Sequence, residues 1–151
     1  KEKQKARFTY GVLEHQFRRY FARAQTTSGS TGEVLLQTLE RRLDNVVFRL
    51  DIAESRSQAR QLISHGHITI GGRKVSIPSY LVNEGETIGW KETSKAREFS
   101  KALASAMPRK SVPAWLAIDT KEMLGRINHL PEPAEIDTTI DTRMIVEFYS
   151  K

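Results

Sequence analysis

The chemistry available to this 151-residue chain is mostly that of arginine. Arg42, Asn45 and Arg49 recur at helical spacing, followed by Arg56, Ser57, Arg60 and Gln61, and then by His65, His67, Arg73 and Lys74. A guanidinium is a planar fork of N–H donors that matches phosphate oxygens and stacks on unpaired bases, so this series points to folded RNA as the partner. Arg56 and Arg60 stand one turn apart, close enough to straddle adjacent phosphates, and they would repel at a bare surface. A second basic group opens the chain. Lys1, Lys3, Lys5, Arg7, Arg18, Arg19 and Arg23, with Tyr10 among them, face Glu2 and Glu14 alone before residue 25. From Lys101 onward the signs balance, so the net charge of +6 is concentrated at the front. Both basic groups are expected to contact RNA, through its shape and backbone more than its base edges.

Other chemistries find little support. Gly66 to Arg73 has the glycines of a phosphate loop but lacks the Gly-Lys-Ser/Thr ending, and a strand stands where the loop should be. His65 and His67 flank Gly66, yet no third ligand lies at a suitable spacing and there is no cysteine, so no metal is expected. Gly29-Ser30-Thr31-Gly32 misses the spacing of a nucleophile elbow. Asp44, Asp51 and Glu54 sit among arginines and read as ion-paired carboxylates, not as an acid/base pair. No enzyme activity, cofactor or small-molecule substrate is expected.

The elements that must position the arginines follow from periodicity. Residues 1–10 show no apolar period. After Gly11, Leu13, Phe17, Tyr20, Phe21 and Ala24 share one arc of a helix whose back carries His15, Arg18, Arg19 and Arg23. Thr26 to Gly32 is a loop by composition. A long helix is then expected from Glu33 to about Leu50, with Leu39, Leu43, Val46, Val47 and Leu50 on one side. Phe48 falls opposite that arc and is expected at a seam with the N-terminal helix. Ser55 and Gln58 fit a capping box that opens a helix to Ser64, which Gly66 ends in the left-handed conformation. Its apolar side is Ala59, Leu62 and Ile63, opposite its polar stripe.

Beyond that helix, His67 to Ile70 and Arg73 to Val75 read as a hairpin around Gly71-Gly72. Tyr80 to Val82 and Thr87 to Trp90 read as a further strand pair. Residues 91–107 read as a connector with helical character. Asp119 to Glu122 resembles another capping box opening a helical turn, Trp115 anchors an extended segment, and Met144 to Tyr149 reads as a closing strand. The absence of cysteine favours a reducing compartment, and no apolar run approaches the roughly 18 residues of a membrane span. The chain opens on Lys1, not Met, so an N-terminal piece is expected to precede it.

Leu39 to Ile88 resembles the small RNA-binding module named after ribosomal protein S-four. The pieces that carry the likeness are Glu40 to Val47, Ser55 to Leu62, Gly66-His67-Ile68 and Gly85 to Ile88. The flanks Tyr10 to Tyr20, Ile77 to Tyr80 and Ile145 to Lys151 extend it over nearly the whole chain, to the bacterial or organellar ribosomal protein family. The resemblance implies a structural constituent of the small ribosomal subunit and a primary ribosomal RNA binder that nucleates assembly at a multi-helix junction. It implies neighbours among small-subunit proteins, S-three and S-five, and a place on the ribosome in the cytoplasm or an organelle. It also implies an N-terminal extension with its own possible zinc site. The rival readings are a stand-alone module acting in ribosome rescue, or the targeting head of an RNA-modifying enzyme.

The expected fold is α+β: an N-terminal basic helical segment over 1–38, an RNA-binding domain over 39–107 with two helices on a small, mostly antiparallel sheet, and a C-terminal segment over 108–151 packing back on both.

Overall fold

The computed structural model describes residues 1–95, 111–136 and 139–150. The chain divides into two compact units, Lys1–Glu40 with Pro131–Lys151, and Arg41–Leu130.

The first unit is helical. Its helices are α1 (Glu2–Tyr10), α2 (Glu14–Thr26), α3 (Thr31–Glu40) and a C-terminal helix, Thr142–Ser150. Residues 1–10, which carry no apolar period in sequence, form α1 through side-chain pairs one turn apart: Lys5 with Glu2 at 3.1 Å and Arg7 with Gln4 at 2.9 Å. Gly11 closes α1 at φ 67°, and Ala6 and Tyr10 face the core. The α2 stripe is as expected, with Phe17, Tyr20, Phe21 and Ala24 buried, whereas Leu13 is the N-cap and lies exposed.

The closing strand expected at Met144–Tyr149 is instead the helix Thr142–Ser150. Its β-branched and aromatic residues suggest a strand, but helical spacing lets Ile145 and Tyr149 share one face. Ile145 is buried, and the Tyr149 ring meets Phe21 at 4.4 Å and Phe17 at 6.5 Å between centroids. Between α3 and this helix, Pro131 is buried and Pro133–Glu135 make one 3-10 turn.

The second unit places α4 (Leu43–Arg49) and α5 (Arg56–Ser64) with a five-stranded antiparallel sheet, β1 (Ile68–Ile70), β2 (Arg73–Lys74), β3 (Thr87–Trp90), β4 (Leu116–Asp119) and β5 (Leu124–Ile127). The spatial order is β2-β1-β3-β5-β4. Ile68, Ile70, Ile88, Trp90, Leu116 and Ile127 join Leu43, Val46, Val47, Leu50, Leu62 and Ile63 in one core. Gly125 lets α4 come close: a Cβ there would lie 2.5 Å from Leu50 Cδ1. A short helix, α6 (Glu92–Lys95), follows β3. The rest of the expected 91–107 connector lies outside the described residues.

Three further expectations change here. The long helix from Glu33 to Leu50 is two helices, because Arg42 is extended at φ −61° and ψ 139° and the backbone around it bonds to a distant segment. Val82 N–H donates to Arg41 O at 3.0 Å, Leu43 N–H to Tyr80 O at 2.8 Å and Asp44 N–H to Pro78 O at 3.1 Å. Leu39 therefore joins the first core and Leu43 the second. That pairing also corrects the expected partner of Tyr80–Val82, whose Leu81 bridges Arg42 while β3 pairs with β1 and β5. Asp119 does cap amides, accepting from Lys121 and Glu122 N–H at 3.0 Å each, but the turn it caps joins β4 to β5 and opens no helix.

The α5 start and stop are as read from sequence. Ser55 Oγ accepts from Gln58 N–H at 3.0 Å, while Gln58 Oε1 reaches one residue further back than a strict capping box, to Glu54 N–H at 2.6 Å. At the other end Gly66, at φ 79°, donates to Ile63 O at 3.0 Å and His67 to Leu62 O at 3.1 Å, a Schellman ending. The hairpin turns on Gly71 and Gly72, both at positive φ, which brings Arg73 opposite Ile70 and Lys74 opposite Thr69.

Candidate nucleic-acid interface

In the second unit the basic residues come from α4, α5 and the hairpin, and a buried carboxylate organises those nearest the start of α4. Asp44, fully buried in the first turn of α4, accepts the Arg42 fork at 3.2 Å and 2.9 Å, and Arg60 Nη1 approaches its Oδ2 at 3.4 Å. The Asn45 backbone N–H donates to the same carboxylate at 2.7 Å. A buried carboxylate without such donors would be costly, so Arg42 is best understood as its internal counter-ion. Arg42 and Asn45, expected at the RNA surface, are buried and act within the fold. Asn45 Oδ1 accepts from Arg56 Nε at 2.9 Å.

Arg56 and Arg60 are half-buried on successive turns of α5. Arg56 also lies over the ring of Phe48, its Cζ 4.5 Å from the centroid, and Arg49 flanks the same ring at 5.9 Å. Phe48 is thus a platform for arginines of its own unit. Ser57, Gln61 and His65 are exposed along α5, and Arg73 and Lys74 are exposed on β2. The Lys74 stem crosses Gly66 at the end of α5, where a Cβ would lie 3.2 Å from Lys74 Cδ. Glycine there gives the hairpin its close approach to the helix. His67 is half-buried, with Nδ1 2.7 Å from Ser94 Oγ, and its ring stands 6.3 Å from that of His65. Among the described residues no cluster of three or more His, Asp or Glu is arranged to hold a metal ion.

The first unit uses its charges differently. Lys3 Nζ, Arg18 Nε and Arg7 Nη1 converge on Glu14 at 3.0, 3.1 and 3.3 Å. These partners, the Lys3 hydrogen bond foremost, hold the Glu14 carboxyl below the ordinary carboxylate range. Lys3 also sits over the Phe148 ring at 4.8 Å, and Arg7 donates to Val12 O at 3.2 Å. Lys5 pairs with Glu2 and reaches Thr139 O at 3.4 Å. Tyr10 is 1% exposed and donates its hydroxyl to Glu40 Oε2 at 2.5 Å, so it too serves the fold and not a surface. Arg18, Arg19 and Arg23 remain exposed on α2, with Arg19 bonded to Gln16.

Periodicity missed two residues beside this series. Lys91 is exposed and donates its backbone N–H to His67 O at 2.8 Å, which places a cation next to the start of β1. The pairing of β1 with β3 would have predicted that place. Arg41 is half-buried and donates to Val82 O and Asn83 Oδ1 at 3.0 Å each; burial lowers its pKa, and its work is to fix the 78–83 segment.

Comparisons with known proteins agree with these elements. Residues 1–40 match the family model described as the ribosomal protein S4/S9 N-terminal domain, and residues 41–88 match the S4 domain. A small ribosomal subunit protein uS4A of Symbiobacterium thermophilum is 55% identical over 151 residues, covering 100% of this chain and 72% of its own length. The uS4 proteins of Herpetosiphon aurantiacus and Parabacteroides distasonis are 53% and 52% identical over the whole chain, with 72% and 75% of their own lengths covered.

Proposed function

The chain belongs to the uS4 family of small ribosomal subunit proteins, and from that membership we propose that it is a structural, non-catalytic constituent of the small ribosomal subunit. It docks on folded ribosomal RNA through its S4 domain. The observation that carries the RNA reading is that α5 carries cations from end to end: Arg49 and Arg56 meet on the Phe48 ring at its start, Arg60 follows one turn on, and Lys74, beside Arg73, crosses Gly66 at its close. Ser57, Gln61 and His65 add neutral or titratable hydrogen-bonding groups along it, and His67 lies at its edge. Arg18, Arg19 and Arg23, with Lys3, Lys5 and Arg7 behind them, supply a second basic surface in the first unit.

The finer reading is that of a primary binder that nucleates assembly at a multi-helix RNA junction, with S-three and S-five as protein neighbours. Support for it comes from family membership and from a site built of phosphate-binding groups with few devices for reading base edges. The place of work is the ribosome. No described helix is long and apolar enough to cross a membrane.

Sedimentation tests the assignment. The protein should be present at one copy per mature small subunit and stay bound through washes at high salt. Release at moderate salt, or presence on stalled ribosomal particles and not on mature small subunits, would favour the ribosome-rescue reading. Binding to a bacterial small-subunit RNA transcript should weaken steeply with salt, because each neutralised phosphate releases counterions.

A further inference from the structure

We propose that Asn45 and Phe48 are positioning residues for RNA binding, holding the Arg56 guanidinium in its binding orientation before any RNA arrives. The inference rests on the RNA-binding reading above.

Two contacts fix a guanidinium: one on its edge sets the direction and one on its face sets the plane. Asn45 Oδ1 supplies the first, taking the Nε–H at 2.9 Å, and the Phe48 ring supplies the second, 4.5 Å from Cζ. Both come from α4, which packs against α5, so Arg56 is referred to a helix other than its own. Arg60, one turn on, is referred to the same first turn of α4, through the Asp44 carboxylate at 3.4 Å. Adjacent residues of α4 thus orient arginines on successive turns of α5.

Mere helix packing does not require this arrangement. Asn45 is fully buried beside Val46 and Val47, and an apolar side chain could fill that place without the cost of desolvating an amide. The amide oxygen there accepts from the Arg56 guanidinium. A long side chain that must order on binding weakens the complex, and an arginine already ordered on folding avoids most of that loss.

The test is equilibrium binding of the full chain to a bacterial small-subunit ribosomal RNA transcript over a range of salt, with thermal melting in parallel. Arg56→Lys keeps the charge and leaves Asn45 and Phe48 untouched. It should bind about tenfold more weakly, since a point-charge ammonium has no planar fork that can rest on Phe48, donate to Asn45 and still present further donors to a phosphate. Phe48→Leu should weaken binding similarly, Phe48→Tyr should bind like the parent, and Phe48→Leu should add nothing once Arg56 is already Ala. Parent-like binding by Arg56→Lys overturns the inference, as does an equal loss from Phe48→Leu with and without Arg56. If those variants fail while Arg73→Ala with Lys74→Ala still weakens binding, the RNA reading stands and the positioning role falls. If neither set of variants changes affinity, the RNA reading itself falls.

Discussion

Gly32 in α3 and Thr142 at the start of the C-terminal helix approach so closely that a Cβ on Gly32 would lie 2.6 Å from Thr142 Oγ1 and 2.7 Å from its Cβ. The obstacle includes a Cβ, which cannot swing aside as a side-chain tip can. Gly32→Ala should therefore push the C-terminal helix off its seat and lower stability by about 1–3 kcal/mol, read as a fall in melting temperature. Thr142→Gly in the same chain should recover part of the loss. Full stability of the single variant would mean the two helices do not pack as described.

Tyr10→Phe should also act on the fold. The hydroxyl lost is the donor to the buried Glu40 carboxylate, and removing such a donor costs about 1–3 kcal/mol. RNA affinity, measured well below the melting transition, should not change, because the ring is buried with Ala6, Phe17 and Leu39. A selective loss of RNA affinity with no fall in melting temperature would return Tyr10 to the binding surface.

The Glu14 cluster gives stability a sign with pH. Its carboxyl titrates lower in the folded chain than in the unfolded one, mainly because Lys3 holds its charged form, with Arg18 and Arg7 nearby. The unfolded chain therefore takes up the proton first as pH falls. The contribution is fully present above the ordinary carboxylate range and is lost as pH drops toward the lower folded value. Glu14→Gln should remove that part of the acid dependence and leave stability near neutral pH slightly reduced. An acid limb unchanged by the substitution would assign it to other carboxylates.

What could be read from sequence was what local chemistry decides. The α5 cap at Ser55, its stop at Gly66 and the hairpin at Gly71-Gly72 depend on residues within a few positions, and the structure has them. The break of the long helix at Arg41–Leu43 depends on Tyr80 and Val82, some forty residues on, and no period in 33–50 announces it. Met144–Tyr149 has strand composition, yet the aromatic surface of Phe17 and Phe21 makes the helix the better packed form. In the site, spacing put Arg42, Asn45, Arg49, Arg56 and Arg60 in one set, but spacing does not say which acceptors are inside. The signal lay in Asp44: an acid among arginines, buried, must draw one of them in.

That division of labour makes a sharp contrast between arginines. Arg42→Ala removes the fork from a fully buried carboxylate and leaves it the more distant Arg60 guanidinium at 3.4 Å, so it should cost about 3–5 kcal/mol of stability. In the fraction still folded, the dependence of RNA affinity on salt should match the parent. Arg73→Ala with Lys74→Ala should do the reverse. Both side chains are exposed on β2 opposite Ile70 and Thr69, and surface changes of this kind stay within about 0.5 kcal/mol of the parent's stability. Their loss should lower affinity for small-subunit ribosomal RNA and reduce the slope of log affinity against log salt by about 1 to 2, according to how many phosphates they neutralise. Melting and salt-dependent binding on the same preparations separate the two effects. Should Arg42→Ala alter the salt slope while the hairpin pair leaves it alone, the RNA is met at Arg42 and not at the hairpin.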